Sequence, residues 1–121
     1  MILIVEDNAE FSKTFAMALT GAGFEVDVAE DGARALAALL SRPYSLALVD
    51  LVLPDMDGAK VLAMAREAGC AVPMIAITGA LPVDLPTDGF IEVFEKPLRL
   101  STLVELTKKY AGKPVAGKIS T

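Results

Sequence analysis

Short runs of β-branched and aliphatic residues alternate along the chain with stretches whose apolar positions recur every three or four residues. Five runs read as strands: Ile2 to Val5, Glu25 to Val28, Leu46 to Val49, Pro73 to Ile77 and Ile91 to Phe94. Between the first two, Phe11, Phe15, Ala18, Leu19 and Ala22 follow Asp7-Asn8, a suitable helix N-cap, and Gly21 and Gly23 close the run. Further helices are predicted over Ala33 to Leu40, which stops at Ser41-Arg42-Pro43, over Gly58 to Ala68 before Gly69, and over Leu100 to Tyr110. The first, third and fourth strands are continuously apolar, as strands covered on both faces are, and their alternation with helices implies right-handed parallel crossovers. The expected fold is α/β, a doubly wound five-stranded parallel sheet. One connection breaks the rhythm. Gly79 to Phe90 contains Pro82, Pro86 and Gly89, so the helix due between the fourth and fifth strands is expected to be short or missing.

A length of 121 residues suits one domain, drawn at 1–111 and followed by a Gly/Pro/Lys tail or linker at 112–121. With 54% hydrophobic and 22% charged residues, a core forms without disulfide or metal staples. Eleven basic residues against 16 acidic ones leave a net charge of −5, the wrong sign for gripping phosphate backbones, so no direct nucleic-acid binding is expected. The longest apolar stretch, Ala35 to Leu40, is far below the ~18 residues that span a bilayer, and Ile2 to Val5 is too short for a signal-peptide core. Together with a lone cysteine, Cys70, this points to the cytoplasm and to no membrane insertion. The chain has no histidine, which removes His-based triads, His-ligated metals and His phosphotransfer; any histidine chemistry comes from a partner.

In an open parallel sheet, ligands sit beyond the carboxyl ends of the strands. Glu6 and Asp7 follow the first strand, Asp50 the third, Thr78 with Gly79 the fourth, and Lys96-Pro97 the fifth. Each has a bland reading alone: Asp7 as a helix cap, Asp50 as a turn former, Thr78 as a strand end, Lys96 as a surface charge. Their joint placement at four strand ends is harder to dismiss. Three carboxylates drawn together repel unless a cation neutralises them, and a hard, open, oxygen-only site suits Mg²⁺. Without a His, Ser or Cys placed as nucleophile, a carboxylate beside such an ion can itself attack phosphorus to give an acyl phosphate. Thr78 and Lys96 then supply a hydroxyl donor and a point charge to the phosphoryl oxygens.

At this point the chain closely resembles the receiver domain of bacterial two-component response regulators, of the chemotaxis-regulator kind. The resemblance is carried by V-E-D-N at Val5 to Asn8, L-V-D-L-V-L-P-D-M-D-G from Leu48 to Gly58, I-T-G at Ile77 to Gly79, and E-K-P at Glu95 to Pro97, and it covers about Met1 to Ala111. It implies a flavodoxin-like strand order of 2-1-3-4-5, Asp50 as phosphoacceptor, and Mg²⁺ bound directly by Asp7 and the backbone carbonyl of Val52, with Glu6 acting through water. It further implies that Thr78 and Lys96 bind the phosphoryl group and that Pro54 and Gly58 shape the turn beyond Asp50. Two departures stand out. Receivers commonly carry a Tyr or Phe three residues before the lysine, where this chain has Val93, and 18 residues separate Thr78 from Lys96, a few fewer than usual. Phe94 and Phe90 are the nearest rings, and a phenylalanine near a strand end is ordinarily core.

The function so implied is a phosphoacceptor switch: a sensor histidine kinase or His phosphotransfer protein donates a phosphoryl group to Asp50 with Mg²⁺, and a surface read by an effector or output domain changes. Such a domain assists its own phosphorylation and dephosphorylation without being an enzyme on other substrates. With Val93 in the aromatic position, ordering of Gly79 to Phe90 is the expected structural response. The alternative is a pseudo-receiver, an interaction module that keeps the fold without the chemistry, but such chains lack part of the acid pair, the acceptor or the lysine. A haloacid-dehalogenase-like phosphatase would need an Asp where Val52 stands.

Overall fold

A computed structural model describes residues 1–79 and 86–112. The strands β1 (Ile2–Val5), β2 (Val26–Ala29), β3 (Leu46–Asp50), β4 (Met74–Thr78) and β5 (Glu92–Glu95) form one sheet in the order β2-β1-β3-β4-β5. Every pairing is parallel. Helices α1 (Ala9–Gly21), α2 (Gly32–Ser41), α3 (Gly58–Glu67) and α4 (Leu100–Ala111) cover it.

Because side chains alternate along a strand, each strand feeds two layers. Leu3 and Val5 of β1 join Ala47, Val49 and the α2 and α3 residues Ala35, Leu39, Val61 and Ala65 on one face. Ile2 and Ile4 join Leu48, Ile75 and Ile77 with Phe15 and Leu19 of α1 and Leu103 and Leu106 of α4 on the other. That two-sided burial is the physical reason for the unbroken apolar runs in β1, β3 and β4. Helices α1, α2 and α3 start where side-chain caps satisfy free N–H groups, whereas α4 starts after Arg99 without one. Asn8 accepts from Glu10 and Phe11, Asp31 from Arg34, and Asp57 from Lys60.

The doubly wound five-stranded architecture stands as expected, and three strands lie one residue later than their apolar runs. Pro73 has no N–H to give, and its carbonyl accepts from Ala47 N instead, so β4 begins at Met74. β2 and β5 follow the register of their neighbours, with Val5 opposite Ala29 and Thr78 opposite Glu95. Between β4 and β5 no helix occurs among the described residues; Thr87 to Phe90 forms a turn with Gly89 at φ 92°. The expectation for 80–85, and that for the tail at 113–121, fall outside the described residues. Phe94 packs half-buried against the layer of α1 and α4 and Phe90 half-buried against that of α2 and α3, so both rings flank the core without entering it. Among the described residues, no helix is long and apolar enough to cross a membrane.

Candidate functional site at the carboxyl edge of the sheet

The parallel register brings the ends of β1, β3, β4 and β5 to one edge. Val5 pairs with Val49, Asp50 with Ile77 and Thr78 with Glu95, so Glu6, Asp7, Asp50, Thr78 and Lys96 emerge side by side. Carboxylate oxygens of Glu6, Asp7 and Asp50 lie within 4.8 Å of one another. Glu6 and Asp50 are buried while Asp7 is exposed, which leaves the cluster one wet side.

Lys96 reaches into this cluster from the end of β5. Its Nζ donates to Asp50 Oδ2 at 3.0 Å and to Glu6 Oε1, and its side chain retains only 11% of its exposure. The ring of Phe11 lies beneath the ammonium, 4.4 Å from Nζ to the centroid. The remaining oxygens are also engaged: Asp50 Oδ1 accepts from Val52 N at 3.0 Å, and Glu6 Oε2 accepts from Asn8 N at 3.1 Å. Burial pushes the Glu6 carboxyl up from its ordinary value, and the Asp50 charge adds to that push against the bonds from Lys96 and Asn8. Burial alone would lower the Lys96 ammonium, but the hydrogen bonds and charges of Glu6 and Asp50 together hold it above its ordinary value.

Three carboxylates against one ammonium leave two formal negative charges at the mouth of the cluster. A divalent cation with oxygen ligands and an open side fits such a donor set. The bland readings of single residues mostly fall away. Asn8, not Asp7, caps α1, so the Asp7 carboxylate has no capping duty, and Lys96 is not a surface charge. Asp50 does shape its turn, through Val52 N, but with one oxygen only. Thr78 is buried at 1% exposure at the end of β4, and its carbonyl accepts from Lys96 N at 2.7 Å, locking the last rungs of β4 and β5 together. Gly58 closes the loop after Asp50: a Cβ there would fall 2.4 Å from the Asp50 carbonyl oxygen, so no side chain fits.

Two contributors escape a reading by motif. Phe11 counts in the sequence only as one apolar position on α1, and its contact with Lys96 crosses 85 residues of chain. Asp55 sits inside the quoted Leu48 to Gly58 segment without a role. In the structure its Oδ1 and Oδ2 accept from Gly32 N at 2.8 Å and Ala33 N at 2.9 Å, a second cap on α2 supplied from the β3–α3 loop.

Strand order and flanking helices define a flavodoxin-like, doubly wound α/β fold with a charged carboxyl edge. The family model of the response regulator receiver domain matches residues 2–108, and the chain belongs to that family. It is similar to the response regulator receiver protein CpdR of Brucella abortus, 34% identical over 114 residues, 89% of this chain and 93% of CpdR. Its similarity to the probable transcriptional regulatory protein SilR of Salmonella typhimurium is 32% over 99% of this chain but 49% of SilR, so the chain spans about half the length of that relative. Among solved structures it resembles the response regulator TrrA of Thermotoga maritima in complex with Mg²⁺-BeF, with a TM-score of 0.81 and 28% identity over 90% of this chain and 96% of that one.

Proposed function

We propose that this receiver is phosphorylated on Asp50, with Mg²⁺, by a phosphohistidine of a sensor kinase or phosphotransfer protein, and that the change is read by a downstream effector or output domain. The observation that carries this reading is the convergence of Glu6, Asp7 and Asp50 within 4.8 Å, with Lys96 seated on the Asp50 carboxylate.

Glu6, Asp7, Asp50 and the backbone carbonyl of Val52 would hold the ion, whose chemistry is to neutralise charge on the phosphoryl oxygens. In the transfer, an Asp50 carboxylate oxygen forms a bond to phosphorus as the phosphorus–nitrogen bond to the donor imidazole breaks. The electron pair leaves with the ring nitrogen. The donor histidine is the partner's, in keeping with a chain that has none. Lys96, already bonded to Asp50 Oδ2, can pass to a phosphoryl oxygen with little movement. Thr78 stands at the neighbouring strand end as a hydroxyl donor. Water reaching the same site from the exposed Asp7 side returns the acyl phosphate to the free acid, which makes the switch self-resetting.

The test is incubation with acetyl phosphate and Mg²⁺, read by phosphate-affinity electrophoresis and intact mass. The wild type should gain one phosphoryl group and Asp50→Ala none. An unmodified wild type would favour the phosphorylation-independent module, and equal labelling of Asp50→Ala would assign the acceptor elsewhere. The TrrA structure in complex with Mg²⁺-BeF supports beryllofluoride as a stable mimic of the phosphoryl group in native-state measurements that accompany the labelling assay.

A further inference from the structure

The segment between Asp50 and α3 is a closed loop held at its base and at its tip. At the base, Gly58 N donates to Leu51 O at 2.9 Å, and Val52 pairs with Asp57 in an isolated antiparallel bridge. At the tip, the Asp55 carboxylate accepts from both Gly32 N and Ala33 N, and Met56 lies so close to Gly32 that a Cβ there would fall 2.4 Å from Met56 Cγ. The two contacts join residues 22 and 23 positions apart and fasten the loop to the first turn of α2. The amides of Gly32 and Ala33 hold the Asp55 carboxyl below its ordinary value, as a carboxylate at a helix N-terminus should be held. Yet α2 has its own cap in Asp31, which accepts from Arg34 N at 2.8 Å. Asp31 thus serves one free amide of the first turn and Asp55 the two before it, and the other end of the Asp55 clasp is the loop that carries Val52.

We infer that Asp55 is a positioning residue for the metal centre: by clasping the loop tip to α2 it fixes the backbone at Val52, whose carbonyl is then presented beside the Asp50 carboxylate. The Val52 side chain cannot do this anchoring, because it is 64% exposed and points away from the core. The course of the loop is set by buried Leu53 and the Asp55 clasp together with the Val52–Asp57 bridge and the bond from Val52 N to Asp50 Oδ1. This rests on the proposed role of the Val52 carbonyl as a ligand.

The test is isothermal titration of the full chain with Mg²⁺ alone, for the wild type, Asp55→Ala, Asp55→Asn and Asp31→Ala. A residue that orients a metal ligand typically alters affinity by 10- to 100-fold, so Asp55→Ala should raise the Kd by about tenfold. Asp55→Asn keeps one acceptor oxygen and should fall between the two. Asp31→Ala also strips a cap from α2 and lowers its stability, but it leaves the loop fastened, so its Kd should match the wild type. An unchanged Kd in Asp55→Ala, or an equal loss in Asp31→Ala, would overturn the clasp. Should Asp55→Ala unfold, as circular dichroism would show, the affinity of Asp55→Asn against Asp31→Ala decides in its place. Failure of the wild type itself to bind Mg²⁺ would overturn the proposed function and the clasp together, whereas normal wild-type binding with an insensitive Asp55→Ala removes the clasp alone.

Discussion

Asp27 on β2 and Asp50 on β3 each accept a hydrogen bond from a cation, yet their surroundings differ in balance. Asp27 Oδ2 takes the Tyr44 hydroxyl at 2.6 Å and Arg42 Nη1 at 2.9 Å, at an edge where Arg42 and Asp27 keep 55% and 32% of their side-chain exposure. One carboxylate meets one guanidinium there. Around Asp50, three carboxylates share one ammonium, and Lys96 and Asp50 keep only 11% and 8%. The edge cluster is electrostatically complete, so it has nothing left to attract and reads as structure. The sheet-end cluster is two charges short, and burial strengthens every charge within it. An excess held in place by the fold, at the strand ends where ligands bind, is the physical mark that separates a site from a brace.

Deleting the cation of each cluster should give the widest contrast. Lys96→Met leaves buried carboxylates uncompensated and should cost about 3 kcal/mol of stability in urea without divalent ions. Arg42→Met should cost no more than about 1 kcal/mol, as exposed pairs do. Supplying charge in place of removing it sharpens the same contrast. Mg²⁺ at a hundred times its Kd should raise the stability of the wild type by about 2.7 kcal/mol. Asp27→Asn should leave that gain intact, and Asp7→Asn should remove most of it.

Removing one negative charge should then act with opposite sign in the two places. Without divalent ions, Asp7→Asn relieves repulsion from Glu6 and Asp50 and should stabilise the fold by about 1 kcal/mol. Asp27→Asn weakens the bonds to Tyr44 and Arg42 and should destabilise by about the same amount. If both substitutions destabilise, the sheet-end cluster carries no excess.

The smallest effect is a pH dependence at the edge. Burial, with the bond to Asp27, pushes the Tyr44 hydroxyl up to about 12 from 10.0. The folded state binds that proton more tightly than the unfolded state, so the contribution is intact below pH 10 and is lost as pH rises toward 12. Because Asp27 and Arg42 are wetted, the fall should be about 1 kcal/mol or less. Tyr44→Phe should flatten that part of the stability profile, and an unchanged slope would show that the hydroxyl does not titrate with folding.

Much of this was legible in the order of residues. The apolar runs of β1, β3 and β4 announce burial on both faces, and Asn8, Gly21 and Gly23 mark the limits of α1 to within a residue or two. The carboxyl edge was legible too, since Glu6, Asp7, Asp50, Thr78 and Lys96 each stand directly at or after a strand. What failed was local. Strand boundaries at β2 and β5 follow the ladder with a neighbour, and apolarity is blind to that register. The cap roles of Asp31 and Asp57 were open to inspection, as each precedes a helical run, but the same residue type caps, turns and binds metal.

From its sequence alone, this chain determined the alternation of strands and helices, the single charged edge and the absence of an internal histidine donor, because these depend on residue type and periodicity. Only the tertiary structure decided which charges meet. That Lys96 bridges Glu6 and Asp50, that Phe11 lies beneath it, and that Asp55 clasps α2 are contacts between segments 22 to 90 residues apart. The reason lies in the geometry of the parallel sheet. Its crossovers carry each strand back in the same direction, so distant strand ends arrive at one edge, where strand order and register set the distances between side chains.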